Sequence, residues 1–284
     1  MSQAKVAVIT GSTGGIGSAI ADQLAAAGWS LALVNRNAAK AEAQKAEITR
    51  AHPQAQIDLF QADLMDVDQI KRAAKETQAR HPRIDALYNN SGVLTSQRVM
   101  SVQGHESNYA VNTLAPFVML QGLRPALARD AEAPRTMVIN TTSAAQNSAK
   151  TLDVDALSDP RRIGGLTGAY ATTKLALTTM GAALADDLAQ DGIMLRSVCP
   201  GAVITPMTKT SDGMPGILKL LVPLLFNKAD KQAAKMIRAA QPESYGARTG
   251  IFITNGKEKP APKLAQDPGI RAALIQKLSA DAML

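Results

Sequence analysis

Short apolar runs alternate with longer helical stretches along most of this chain, and that alternation limits the fold more than any other feature. Residues 6–10, 31–34, 57–60, 86–89, 136–140 and 194–198 read as strands. The stretch from Ile16 to Ala27, closed by Gly28, reads as a helix, as do the stretches ending near His52, Arg80, Arg129 and Ala189. Residues 250–253 offer one last strand. Strand–helix–strand units of this length cross over right-handedly and build a parallel sheet covered by helices on both faces. Strands buried on both faces are continuously apolar, as most of these are. The expected fold is α/β, a doubly wound parallel sheet of the Rossmann type. Its expected extent is one NADP-binding domain over residues 1–284. Residues 206–241 break the alternation and read as a helical lid insertion.

Directly after the first strand stands Thr10-Gly11-Ser12-Thr13-Gly14-Gly15-Ile16-Gly17, opening a helix. Glycines there permit a tight turn and let a pyrophosphate approach backbone N–H groups at a positive helix end. A glycine cluster alone can be a plain turn, so its place between strand and helix gives it meaning. The end of the second strand then separates the two nicotinamide cofactors. An acid at that turn holds the ribose 2′-OH of NAD, whereas an arginine meets the 2′-phosphate of NADP. Here the turn is Asn35-Arg36-Asn37, with no acid, and a guanidinium offers a fork of donors suited to phosphate. NADP(H) is the preferred cofactor.

Tyr170 and Lys174 lie four residues apart, one helical turn, on the same face. A free phenol, with a pKa of about 10, is a poor base near neutrality. A neighbouring ammonium and a nicotinium ring favour phenolate and lower that value.

Taken together, these residues resemble the short-chain dehydrogenase/reductase family over nearly the whole chain. The phosphate turn is Thr10 to Gly17. Asp63-Leu64 resembles the pair whose Asp reaches the adenine, and Asn89-Asn90-Ser91-Gly92 resembles the family's Asn-Asn-Ala-Gly turn, with Ser91 in place of alanine. Asn112 matches the helix asparagine that anchors a relay water, Ser143 the catalytic serine, and Tyr170 and Lys174 the acid/base pair. Pro200-Gly201-Ala202-Val203-Ile204-Thr205 matches the segment closing over nicotinamide. The resemblance implies that Asn112, Ser143, Tyr170 and Lys174 are catalytic. It implies a cofactor site of Gly11, Ser12, Thr13, Gly15, Ile16, Gly17, Arg36, Asp63, Leu64, Asn90, Tyr170, Lys174, Pro200, Gly201, Val203 and Thr205. One departure narrows it: Ser143 and Tyr170 are further apart than is usual. That insertion, with the tail around Asn255-Gly256 and Asp267-Pro268, resembles the retinol-dehydrogenase-like branch, which implies apolar aldehydes, ketones or their alcohols as substrates. A reductase of 3-oxoacyl thioesters and a non-catalytic NADP redox sensor are the alternatives.

Composition excludes other classes. A net charge of +7, without any block of like charges, fits a solvated basic surface and a phosphorylated cofactor better than nucleic acid. Aromatics at 3% argue further against base-stacking surfaces. Cys199, the only cysteine, excludes an internal disulfide and reads as a buried, inert thiol. His52, His81 and His105 lack metal-ligand spacing, so no metal is expected. No signal peptide is visible, which suggests a cytoplasmic location. Residues 216–226 are too short to span a bilayer; a lid wall is preferred there over membrane-surface contact. A homo-oligomer is left open.

Overall fold

The computed structural model describes residues 4–130, 133, 135–201 and 228–283. Eight strands form one sheet in the order β3-β2-β1-β4-β5-β6-β7-β8. These are β1 Val6–Thr10, β2 Ser30–Asn35, β3 Ile57–Gln61, β4 Ala86–Asn89, β5 Thr136–Thr141, β6 Ile193–Cys199, β7 Ile251–Thr254 and β8 Lys257–Lys259. All neighbours run parallel except β7 and β8, which form an antiparallel hairpin.

Alternate residues of each inner strand feed two separate cores, which is why their sequences are largely apolar. Val6 and Val8 of β1, with Leu87 of β4 and Val138 of β5, face one side. There they meet α3 (Val67–Arg80), α5 (Ala115–Leu127) and α6 (Ala169–Gln190). Ala7 and Ile9, with Tyr88 and Ile139, face the other side and meet α1 (Gly15–Ala26). On that side α2 spans Ala38–Ala51 and contributes Ile48 to the core. The edge strand β3 is only half-buried, and its Asp58 pairs with Arg80 and His81.

Between β4 and α5 the chain forms a loop, a single turn α4 (Ser107–Tyr109) and a π-turn over Ala110–Leu114. Short 3₁₀ turns, not helices, fill the insertion between Ser143 and Tyr170. Of the expected lid, residues 206–227 lie outside the described residues, as does the 216–226 segment. Its last part, α7 (Ala229–Ala239), belongs to the flanking layer: Ala233, Met236 and Ala239 pack with Ile16, Ile20 and Leu24 of α1.

Arg196 of β6 is fully buried, and its guanidinium donates to the carbonyls of Ala239, Gln241, Gly246 and Arg248. This fixes α7 and the following turn α8 (Pro242–Tyr245) to the sheet. The tail forms α9 (Lys263–Gln266) and α10 (Pro268–Asp281). Leu274 and Leu278 of α10 enter the core beside Leu175 and Leu184 of α6.

Candidate active site

In an open parallel sheet, ligands bind beyond the carboxyl ends of the strands, where the order reverses. That point here lies between β1 and β4, and the described part of the expected site gathers along this edge.

The phosphate turn is built from backbone fitted to backbone. Gly11 and Gly15 have φ of 66° and 56°, in the left-handed region that glycine enters without strain. A Cβ on Gly17 would stand 2.3 Å from the Gly11 carbonyl oxygen and 2.5 Å from Asn90 Nδ2, so only glycine closes the first turn of α1. Asn90 stitches this turn to β4, donating from Nδ2 to the carbonyls of Thr10 and Gly11, each at 3.2 Å. Thr10 returns the link, its Oγ1 accepting from the N–H groups of Asn90 and Ser91, both at 3.1 Å. Thr10 opens the expected phosphate turn but stands outside the expected cofactor-site residues; a threonine opening a glycine turn is the available signal for its role.

Ser12 is oriented differently from a ligand-facing serine. Its hydroxyl is fully buried, donates to Gln44 Oε1 at 2.8 Å and accepts from Asn35 Nδ2 at 2.8 Å. Its carbonyl also accepts from Gln44 Nε2 at 2.6 Å, so Ser12 is held within the fold. Thr13 is partly exposed on the turn, and Ile16 is buried in the α1 core.

At the other end of the edge, Arg36 leaves β2 with its side chain 74% exposed, 3.8 Å from a carboxylate oxygen of Asp63 after β3. Leu64 packs beneath, against the core. The exposed guanidinium of Arg36 and the glycine cradle at the start of α1 fit a nicotinamide dinucleotide.

Beyond β5 lie the acid/base candidates. Tyr170 and Lys174 are buried on the first turns of α6. Lys174 Nζ donates to the Thr141 carbonyl at 2.9 Å and sits 6.0 Å from the centre of the Tyr170 ring. Ser143 follows β5 and caps a 3₁₀ turn, its Oγ accepting from Ala145 N–H at 3.2 Å. Burial pushes the Tyr170 phenol above its ordinary value, and the Ser143 hydroxyl, within hydrogen-bonding reach, pulls it back down. Burial also takes the Lys174 ammonium down to about 8. The ammonium bonds a carbonyl rather than the phenol, and desolvation of the phenolate dominates within the protein itself. Cys199, at the end of β6, is buried.

Asn112 lies in the π-turn, fully buried. Its Oδ1 accepts from Val93 N–H at 2.9 Å, and its Nδ2 donates to Val93 O at 3.0 Å and to Thr173 Oγ1 at 3.2 Å. Thr173, on α6 between the Tyr and the Lys, was not singled out from sequence. Pro200 is buried and Gly201, with φ of 89°, leads away from β6; Val203 and Thr205 lie outside the described residues. Among the described residues no group of His, Cys, Asp or Glu could hold a metal, and no helix is long and apolar enough to cross a membrane.

A family model described as short chain dehydrogenase matches residues 5–154 and 161–215. The chain belongs to the short-chain dehydrogenase family. The match breaks inside the stretch separating Ser143 from Tyr170, where the sequence departs from the usual spacing. This short-chain dehydrogenase is 26% identical to the short-chain dehydrogenase/reductase drtF of Aspergillus calidoustus, over 93% of this chain and 88% of that one. It is 28% identical to retinol dehydrogenase 12 of Mus musculus, over 89% of this chain and 78% of the relative. Among solved structures it is similar to a blue fluorescent protein from a metagenomic library in complex with NADPH. That likeness has a TM-score of 0.68 and 26% identity, covering 88% of this chain and 96% of the other.

Proposed function

We propose that this short-chain dehydrogenase is an NADP(H)-dependent oxidoreductase that interconverts an apolar aldehyde or ketone and its alcohol, with Tyr170 as acid/base. The observation that carries the reading is the meeting of Tyr170, Ser143 and Lys174 at the carboxyl ends of β5 and β6, on the same sheet edge as the glycine turn. Arg36, exposed and without an acid on its own turn, favours the 2′-phosphate of NADP(H) over the bare ribose of NAD(H). The likeness to retinol dehydrogenase 12 and the long Ser143–Tyr170 stretch favour an apolar substrate.

When bound, the nicotinamide supplies or takes up the hydride. In reduction Tyr170 gives its phenolic proton to the substrate oxygen, and its elevated pKa keeps that proton in place until charge develops. The Ser143 hydroxyl donates to the same oxygen as it becomes negative. Lys174, its Nζ 6.0 Å from the ring centre, would favour the phenolate left behind and would hold the ribose hydroxyls of the bound cofactor. Asn112 spends its side chain on Val93 and Thr173, so a relay water here binds backbone of the widened turn rather than the amide.

The test is NADPH and NADH oxidation over a panel of apolar aldehydes and ketones and a 3-oxoacyl thioester, with Tyr170→Phe alongside. Turnover with NADPH that falls by about 10²–10⁴ in the variant is the expected result. Failure to bind either cofactor refutes the reading, and so does a Tyr170→Phe enzyme of undiminished rate.

A further inference from the structure

The turn after β4 departs from the family's pattern at one residue, and the structure shows where that residue's added oxygen goes. A Cβ built on Gly11 would lie 2.4 Å from Ser91 Oγ, so the Ser91 side chain lies over Gly11 Cα, against the phosphate turn. Its backbone N–H is fixed by Thr10 Oγ1 at 3.1 Å, which holds the residue in that orientation. Ser91 is half-buried, and its hydroxyl has no hydrogen-bond partner among the described residues. A hydroxyl in this position is held by its own backbone, faces the glycine turn and keeps its proton free to donate.

Sheet order says which part of a bound dinucleotide comes near it. Arg36 and Asp63 stand beyond β2 and β3, Ser143 and Tyr170 beyond β5, and Ser91 at the junction of β1 and β4 between them. The middle of the cofactor, its pyrophosphate and the adjoining ribose, spans that junction.

We propose that Ser91 is a further cofactor-binding residue whose hydroxyl donates to an oxygen in the pyrophosphate–ribose centre of NADP(H), a contact that alanine there cannot make. This rests on the NADP(H) reading above. Ser91→Ala keeps the Cβ over Gly11 and removes only the oxygen, so the turn's packing is preserved.

The experiment is a titration of NADPH by its own fluorescence into the full chain and into Ser91→Ala, with melting of both proteins without cofactor as the control. The expected result is equal melting and NADPH binding weakened by about three- to tenfold in the variant, the loss of one hydrogen bond. Wild-type binding matched by the variant overturns the Ser91 contact and leaves the NADP(H) reading standing. A wild type that binds neither NADPH nor NADH overturns both. If the variant melts lower, Ser91→Cys, which keeps a side-chain atom over Gly11 but donates weakly, must reproduce the weakened binding or the contact is refuted.

Discussion

Replacing Lys174 by methionine should make the protein more stable while removing its activity. Lys174 is 3% exposed, and burial lowers its ammonium from 10.5 to about 8. Each pKa unit corresponds to about 1.4 kcal/mol, so at pH 7 the folded state bears a penalty of roughly 3 kcal/mol for keeping this group charged. Methionine fills a similar volume without the charge. Against that, the Thr141 carbonyl loses its donor at 2.9 Å, which costs about 1 kcal/mol. The net gain is about 2 kcal/mol, or roughly 4–8 °C in melting temperature for a chain of this size.

The pH dependence has a definite sign. The folded lysine is depressed, so between about 8 and 10.5 the unfolded chain binds more protons than the folded one and this group's contribution to stability rises with pH. The wild type therefore recovers as the solution becomes alkaline. By pH 9.5 only about one pKa unit of penalty is left, roughly 1.4 kcal/mol, which the lost hydrogen bond nearly cancels. Thermal denaturation of both proteins at pH 7 and pH 9.5 tests this. A variant that melts no higher than wild type at pH 7, or an advantage that does not shrink at pH 9.5, refutes the reasoning.

Two other substitutions probe the cofactor edge. Arg36→Ala should weaken NADPH binding by about 10- to 100-fold, the loss of charge-assisted bonds, and leave NADH binding nearly unchanged; an equal loss for both cofactors would remove Arg36 from the 2′-phosphate site. Gly17→Ala forces a Cβ to 2.3 Å from the Gly11 carbonyl. It should lower the melting temperature or abolish cofactor binding, and native melting with native affinity would show that the turn can yield.

Much of the fold was legible because two-sided burial writes it into the sequence. β1, with Val6 and Val8 facing one core and Ala7 and Ile9 the other, turns polar only at its carboxyl end, at Thr10, as β4 does at Asn89. β8 carried no such signal: Lys257, Glu258 and Lys259 form an edge strand, identified only by its pairing with β7. The π-turn holding Asn112 looks like ordinary amphipathic helix in sequence, since one extra residue in a turn leaves the apolar pattern almost intact.

At the candidate site, spacing on a single element was readable and contact between elements was not. Tyr170 and Lys174 declared themselves because four residues on a helix fix a common face. The burial of the Ser12 hydroxyl between Asn35 and Gln44 depends on three distant segments meeting. So does the ammonium's choice of the Thr141 carbonyl over the phenol.

The short β8 strand has a consequence for how copies of this chain meet. A sheet that ended at β7 would offer apolar Phe252 and Ile253 and a row of unsatisfied backbone groups to any extended segment nearby. The hairpin covers that row with three charged residues, two of them lysines. A second copy approaching strand to strand would bring lysine against lysine. The hairpin thus puts a short, charged strand at that margin, which disfavours the strand addition that leads to fibres.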